Sequence, residues 1–587
     1  MPSSLVDGNS LLAVDIGAAN TRAVLFDVVE SEYRFVASGL APSTAEAPFK
    51  DLSGGVRNAI SNLQGVLGRN LLDGGRNLIT PSQADGSGVD SLVITLSAGP
   101  TIKTAIVGLL QDVSLESARR LTASTYTRVV DTIGLNDRSR PEQQIDSLLR
   151  LQPELVVITG GTDGGASRSI QKMIEPIGLA SFLLPEEKRP AVLYAGNQKM
   201  EEEVKGLVGS LAPSLHFTPN VRPSLETEDL DPAERELAHL IIEIRKRQLK
   251  GVDTLDLWAG GHLWPTAYAT GRMVRFLAKV YGASKGILSV DLGASAATIA
   301  AGFQGSSTLN VFPQYGLGEN LMELANQTAL EEILRWCTID ISASALLDYM
   351  YQKSLHPSAI PATAEDLAIL RAIARQALSL AMQAARRDFP RTIASIKPNL
   401  TPVFEPILAG GSALGDASRP GHSLLLLLDS IQPVGLTTVI LDQNNLLPLL
   451  GAAAGQNNIL PVQVMESGAF LSVGTVVAPV VSAPFGTPIL RARLTYENGT
   501  EARTELKFGT METLPLGSGE TGKLSLQLLR GADIGFGPGR LPRESLGVAG
   551  GALGLVLDGR GRPITLPVDA GRRRESIKKW TWTMGGE

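Results

Sequence analysis

One cysteine, Cys337, occurs in the 587 residues. A lone thiol excludes disulfides within the chain and cysteine-built metal clusters. Its setting, EEILRWCTID, has helical character and reads as a buried thiol rather than a nucleophile. Histidine is scarce too. The five residues, at 216, 239, 262, 356 and 422, are scattered without the HxxxH type of spacing that metal sites use. His262, in WAGGHLWPT, reads as a packed side chain. Aromatic residues are only 5%, too few for platforms that stack nucleic-acid bases. The net charge of -6 argues against a nucleic-acid footprint over the whole chain. No apolar run reaches the roughly 18 residues that a membrane span needs. The opening MPSSLVDGNS is polar and lacks a basic start, so no secretory leader is expected and a cytoplasmic protein is the default expectation.

Glycine is abundant, at 61 residues, and hydrophobic residues make up 43% against 19% charged. That balance fits a well-packed globular protein, and roughly 150 residues per domain predicts three to four structural units. LLAVDIG, TRAVLFDVV and YRFVASGLA follow in close succession and predict antiparallel strands. SGGVRNAISNLQGVLGR predicts a helix, with Val56, Ile60, Leu63 and Leu67 on one face and Ser53 as its cap. SLVITLSAG, PELVVITGGTDGG and RPAVLYAGNQ are apolar strands ending in glycine or small residues. With the intervening helical segments they predict α/β units and a largely parallel sheet. LDPAERELAHLIIEIRKRQL, 230–249, predicts a helix with Pro232 in its first turn. Residues 319–388 read as mostly helical. From about 479 the pattern changes: alternating apolar and polar residues flank an Asn498-Gly499 turn, the signature of a hairpin. This last segment is basic while the rest of the chain is acidic. It reads as a separate β-rich domain ending in a basic helix or tail, RRRESIKKWTW.

Three short stretches carry chemistry. LLAVDIGAANTR ends an apolar strand in Asp15 and Gly17, followed by Thr21 and Arg22. About 275 residues later GILSVDLGASAATIAAGF repeats the pattern with Asp291, Gly293, Ser295 and Thr298. ILAGGSAL then supplies Gly410, Gly411 and Ser412 after a third strand. Phosphates are held by backbone amides that approach closely, which calls for glycine or small residues at the turn. Magnesium takes carboxylates, often through water. An Asp-Gly hairpin from each of two lobes, with a glycine turn for the adenosine, meets those needs. Together the three stretches predict nucleotide binding. TGGTDGG adds Asp163, the acidic residue of its glycine-rich turn, which could orient an attacking water, hold magnesium or simply cap the next helix. Asn197 in YAGNQ reads as a turn residue.

The arrangement resembles the actin, Hsp70 and sugar-kinase superfamily of ATPases. Within it, the closest resemblance is to the MutL family, the glutamate-mutase-associated proteins. VDIGAANTRAVLFD, ITLSAGPTIKTAIVGL, VVITGGTDGG, VLYAGNQ, NVRPSLETEDLDPAERE, ILSVDLGASAAT and ILAGGSAL carry it, over about 11 to 475. The resemblance implies an α/β, two-lobed actin-like fold of duplicated ribonuclease-H-like domains. The expected divisions are 1–285 with an α/β insertion at about 150–215, 286–478, and a β-rich domain at 479–587. It implies ATP and Mg²⁺ as ligands, with Asp15 and Asp291 on the metal; Asp163, offered by its glycine-rich turn, is the catalytic candidate. It implies a chaperone-like accessory protein whose partner is an adenosylcobalamin-dependent mutase, with neither nucleic acid nor membrane as a partner. Relatives show D-x-G-x-x-T-K at the first loop, where this chain has Arg22. They show D-x-G-G-A-T-T-D at the second, where it has Ala296, Ala297 and Thr298. Lost hydroxyls predict slow or absent hydrolysis. A nucleotide-binding scaffold without turnover and a small-molecule kinase therefore stand as alternatives.

Overall fold

The computed structural model describes residues 8–137, 139–281, 285–390, 393, 395–415, 419–542 and 545–586. Most of the stretch read for a leader, and residues 416–417 at the end of the strand-and-turn segment 405–417, lie outside the described residues. The fold is mixed α/β, built on several sheets.

The first four strands are β1 (Leu11–Ile16), β2 (Asn20–Val29), β3 (Glu32–Pro42) and β4 (Ser91–Leu96). The chain then leaves this sheet for β5 (Ile102–Gly108), β6 (Thr127–Gly134), β7 (Leu155–Ile158), β8 (Ala191–Tyr194) and β9 (Leu215–Phe217). These five form a wholly parallel sheet in the order β6-β5-β7-β8-β9. It therefore begins near residue 102, upstream of the insertion boundary expected at about 150. β10 (Leu263–Pro265) returns to the first sheet, whose order is β10-β4-β1-β2-β3.

The second half opens with β11 (Gly286–Leu292), β12 (Ala297–Phe303), β13 (Ser306–Phe312), β14 (Phe404–Gly410), β15 (Gly435–Leu441) and β16 (Leu471–Ala478). β13-β12-β11-β14-β15 repeats the order and the strand senses of the first sheet: two antiparallel pairings on one side of the central strand, two parallel on the other. β17 (Pro488–Tyr496) and β18 (Glu501–Lys507) are the hairpin read from Asn498-Gly499. β19 (Met511–Leu514), β20 (Thr521–Leu528), β21 (Leu546–Ala549) and β22 (Leu555–Asp558) follow. β17, β18, β20 and β21 make a small sheet of their own, but β22 pairs with β16 and β19 with β22. The segment beyond 479 thus extends the second sheet to eight strands.

The run LLAVDI is apolar on both faces because both are covered. Leu12, Val14 and Ile16 pack under the helix Leu52–Leu67. That helix is capped by Asp51, two residues before the expected cap, which accepts from the Ser53 amide at 2.9 Å. Leu11 and Ala13 face a core shared by the two sheets and filled by the helices Thr266–Val280 and Leu446–Ala453. These helices cross so closely that a Cβ on Gly451 would lie 2.0 Å from the Ala269 carbonyl oxygen, which explains the small-residue run GAAAG. Cys337 is buried, and burial pushes its thiol up to about 11. A thiol held protonated in this way is inert, as expected.

Candidate functional site

The two Asp-Gly hairpins face one cleft. Asp15 on β1 stands in register with Arg22 on β2, and Asp291 on β11 with Thr298 on β12. Each turn closes in the same way: the Gly17 amide donates to the Asn20 carbonyl at 2.9 Å, and the Gly293 amide to the Ala296 carbonyl at 3.1 Å. The register makes Thr298 the counterpart of Arg22, while Thr21 corresponds to Ala297. Because side chains alternate along a strand, Thr21 turns away from Arg22. It is fully buried, and a Cβ on Gly55 would lie 3.1 Å from its hydroxyl. Thr21 is not among the residues that line the cleft.

The glycine turn closes the cleft from the second sheet. Gly410 ends β14 in register with Asp291. Gly411 follows at φ +83°, where a Cβ would lie 2.6 Å from the Leu292 carbonyl oxygen. Only glycine satisfies both demands. Asp15, Gly17, Arg22, Asp291, Gly293, Ser295, Thr298, Gly411 and Ser412 all line the cleft. Gly410 lines a small void beside it with Asp291 and Asp442.

Three carboxylates converge here. Asp15 accepts from the hydroxyls of Thr95 at 2.6 Å and Thr266 at 3.0 Å, and from the Asn445 amide at 2.8 Å. Burial still raises its pKa against those bonds and the charge of Arg22. Asp291 is pushed up to about 7, first by burial, then by the charges of Asp15 and Asp442. Asp442 is pushed up to about 6 by burial, although it accepts from the amides of Leu446 at 2.8 Å and Leu447 at 2.7 Å. Arg22 donates to Asn444 at 3.1 Å. Tyr126 lines the same cleft, its phenol pushed up by burial and then by Asp291 and Asp15. It stays a neutral hydroxyl beside the acids.

Asp442 and Asn445 went unread in the sequence. The available signal was VILDQNN, another apolar strand ending in an aspartate. Thr95 and Thr266 gave none: each is a threonine within or just after an apolar run.

A second cavity of about 350 Å³ opens off the first past Ala19, Asn20, Ala294 and Ser412. Lys353, Ile360, Arg371 and His422 line it. It is flanked by the glycine turn, where the adenosine was expected. Burial, then Arg371, lowers His422 to about 4, so this wall carries neutral imidazole beside cationic guanidinium.

Asp163 lies elsewhere. It follows β7 of the parallel sheet, accepts from Asn220 at 2.9 Å and is absent from the cleft lining. The structure thus does not bring the residue read as orienting water, holding magnesium or capping a helix together with Asp15 and Asp291, because its strand belongs to another sheet. Asn197 is 1% exposed and accepts from the Gly164 amide at 3.0 Å, the turn role read for it.

The donor set fits magnesium and a polyphosphate. Among the described residues no group of three or more His, Cys, Asp or Glu could enclose a metal ion. Magnesium suits such a place, because it usually keeps water and phosphate oxygens beside one or two carboxylates. The Ser295 hydroxyl and the Asn445 side-chain oxygen are buried without a hydrogen-bond partner, and both residues line the cleft. Among the described residues no helix is long and apolar enough to cross a membrane.

Comparisons with known proteins show the family. Among curated proteins, the chain is 22% identical to Protein MutL of Clostridium tetanomorphum over 308 residues, or 49% of this chain and 63% of that one. The match thus spans less than two thirds of that relative. Among solved structures, nucleotide-free acetone carboxylase matches at 12% identity over 85% of this chain and 81% of that one, with a TM-score of 0.29. The nucleotide-free diol dehydratase-reactivating factor matches at 11% identity over 78% of this chain and 100% of that one, with a TM-score of 0.28. A family model described as MutL protein matches residues 11–468. The chain belongs to the MutL family.

Proposed function

We propose that this protein binds ATP with Mg²⁺ in the cleft between its two repeated sheets, and serves as a chaperone-like accessory factor for an adenosylcobalamin-dependent mutase. The lobes of this actin-like arrangement are 1–285, carrying the parallel sheet as an insertion, and 286–478, with 479–587 added at the far edge. The observation that carries the reading is the meeting of Asp15, Asp291 and the Gly411 turn, from three distant stretches, in one cleft. The mutase partner rests on the family resemblance, and so does a cytoplasmic location.

In this reading Asp15 and Asp291 hold the magnesium ion, which neutralises phosphate charge and favours the ionised form of Asp291. The turns at Gly17 and Gly293 bring backbone amides to the phosphates, since small residues leave them accessible. Ser295 donates its hydroxyl to a phosphate oxygen, and Arg22 adds a fixed positive charge. The cavity beside Arg371 and His422 takes the base and ribose. Closure of the lobes on the nucleotide changes the affinity for the partner.

Ala296 and Ala297 favour a second reading, a nucleotide-binding scaffold without turnover. With Asp163 outside the cleft, the kinase alternative would need Asp442, the third carboxylate of the lining, as its substrate base. Calorimetry with ATP and magnesium tests the first step: binding at millimolar ATP or below is expected, lost in Asp15→Ala. Hydrolysis stimulated by a mutase supports the accessory role. Binding with no turnover, with or without the mutase, selects the scaffold. An absence of binding sinks both readings.

A further inference from the structure

On the far side of the helix Thr266–Val280 from the cleft lies another pocket, of about 530 Å³. Such a volume falls within the roughly 300–1,000 Å³ of small-molecule sites. Tyr268, Arg272, Arg275, Phe276 and Lys279 recur at helical spacing along one wall. Arg235, from the first turns of the helix Asp231–Gln248, faces them, and Phe217 with Thr218, at the end of β9, completes the lining.

The charges here do not balance. Glu234 and Asp231 pair with Arg275, at 2.6 and 3.4 Å. Glu236, the other acid of the lining, is bound to His216. Among the described residues no carboxylate pairs with Arg235, Arg272 or Lys279. Arg272 is half-buried, and burial together with the charges of Arg235 and Arg275 lowers its pKa. Crowded cations without counter-ions are unfavourable unless an anion joins them. Thr218 is 5% exposed, and its hydroxyl has no hydrogen-bond partner. Tyr268 is held flat by stacking on Trp264 at 5.3 Å between ring centroids, so the aromatic wall is rigid.

We propose that this pocket binds a small organic phosphate: Arg235, Arg272 and Lys279 meet the phosphate group, Thr218 offers its hydroxyl, and Phe217, Tyr268 and Phe276 contact the organic part. Two guanidinium groups suit a phosphate dianion better than a single carboxylate, because each offers a fork of parallel donors. The site is separate from the nucleotide cleft and does not depend on it.

Calorimetry on the full chain with phenyl phosphate, inorganic phosphate and succinate tests this. One phenyl phosphate per chain is expected, bound more tightly than inorganic phosphate and much more tightly than succinate. Arg272→Gln should weaken binding at least tenfold and the exposed Lys279→Gln severalfold, while Arg22→Gln, in the cleft, should leave it unchanged. Circular dichroism identifies a misfolded variant, and Lys279→Gln, on the surface, keeps the test open if Arg272→Gln unfolds. No binding of phenyl phosphate at millimolar concentration overturns the proposal. So does loss in Arg22→Gln with retention in Arg272→Gln and Lys279→Gln, which puts the ligand in the cleft. Succinate bound as tightly as phenyl phosphate overturns the phosphate assignment.

Discussion

Asn445 donates to Asp15 at 2.8 Å across 430 residues of sequence. This bond joins the first strand of the first sheet to the loop after β15 of the second. Asn445 holds a left-handed backbone, φ +52°, which asparagine tolerates better than most residues. Asn445→Ala removes a bond to a charged group and adds backbone strain. Together these cost about 2–4 kcal/mol of stability. Urea unfolding measures that loss. Weaker binding of ATP with magnesium should accompany it, because Asp15 loses one of its three side-chain donors.

The acids of the cleft set a pH dependence. The folded-state pKa values of Asp291 and Asp442 are raised to about 7 and about 6 from 3.8. Between these limits the folded chain keeps protons that the unfolded chain has released. Stability therefore falls as pH rises from about 4 through about 7, and stays lower above that. Without magnesium, the unfolding free energy should have a negative slope in this window from these groups. Asp291→Asn should flatten the slope and be more stable than the parent above neutrality. Equal slopes in the two proteins would refute the assignment.

Two glycines of the cleft separate backbone need from mere space. Gly411 has positive φ and the Leu292 carbonyl oxygen 2.6 Å from where a Cβ would sit, whereas the nearest atom to a Cβ on Gly293 is 3.8 Å away. Gly411→Ala should cost at least about 2 kcal/mol, while Gly293→Ala should cost within about 1 kcal/mol. Denaturant midpoints of the two variants check the difference.

The sequence showed its strands where apolar runs stop at an Asp or a Gly, so both Asp-Gly hairpins and the Gly411 turn were legible. The buried side of Thr21 was not legible, because sequence spacing does not say which face of β2 a residue takes; only the pairing of Asp15 with Arg22 does. Asp442 and Asn445 were hidden because they work through long-range pairing, with no repeated motif around them. The join of β22 to β16 was also illegible: the change of pattern near 479 marks a new small sheet, but not the return of the chain to an old one.

Asp163 gives a clean negative expectation. Its carboxylate accepts from Asn220 at 2.9 Å on a sheet outside the cleft lining. Asp163→Asn should leave ATP binding and any turnover within about twofold, a change of roughly 0.4 kcal/mol. Asp15→Asn in the same assay should abolish both. A tenfold loss of turnover in Asp163→Asn would return this residue to the chemistry.

The last segment is tied by buried charge to the helices Ala364–Ala385 and Pro420–Ser430 of the second half. Asp429, 1% exposed, accepts from Arg375 at 2.7 Å and Arg560 at 2.5 Å. Arg560 and Arg562 also donate to Asp558, at 2.8 and 2.7 Å. Burial opposes ionisation of Asp558, but the two arginines prevail and hold its carboxyl far below the usual range. A depressed carboxylate stabilises above its unfolded pKa, and that contribution is lost as pH falls through the folded value. The network thus works at neutral pH, where Asp291 opposes stability. Asp429→Ala leaves two buried guanidinium groups short of an anion and should cost about 3–5 kcal/mol. A chain ended at Ala478 also strips β22 from β16 and exposes that strand's edge. It should fail to give a cooperative urea transition, whereas loss of an independent β domain would leave the transition of the remaining sheets intact.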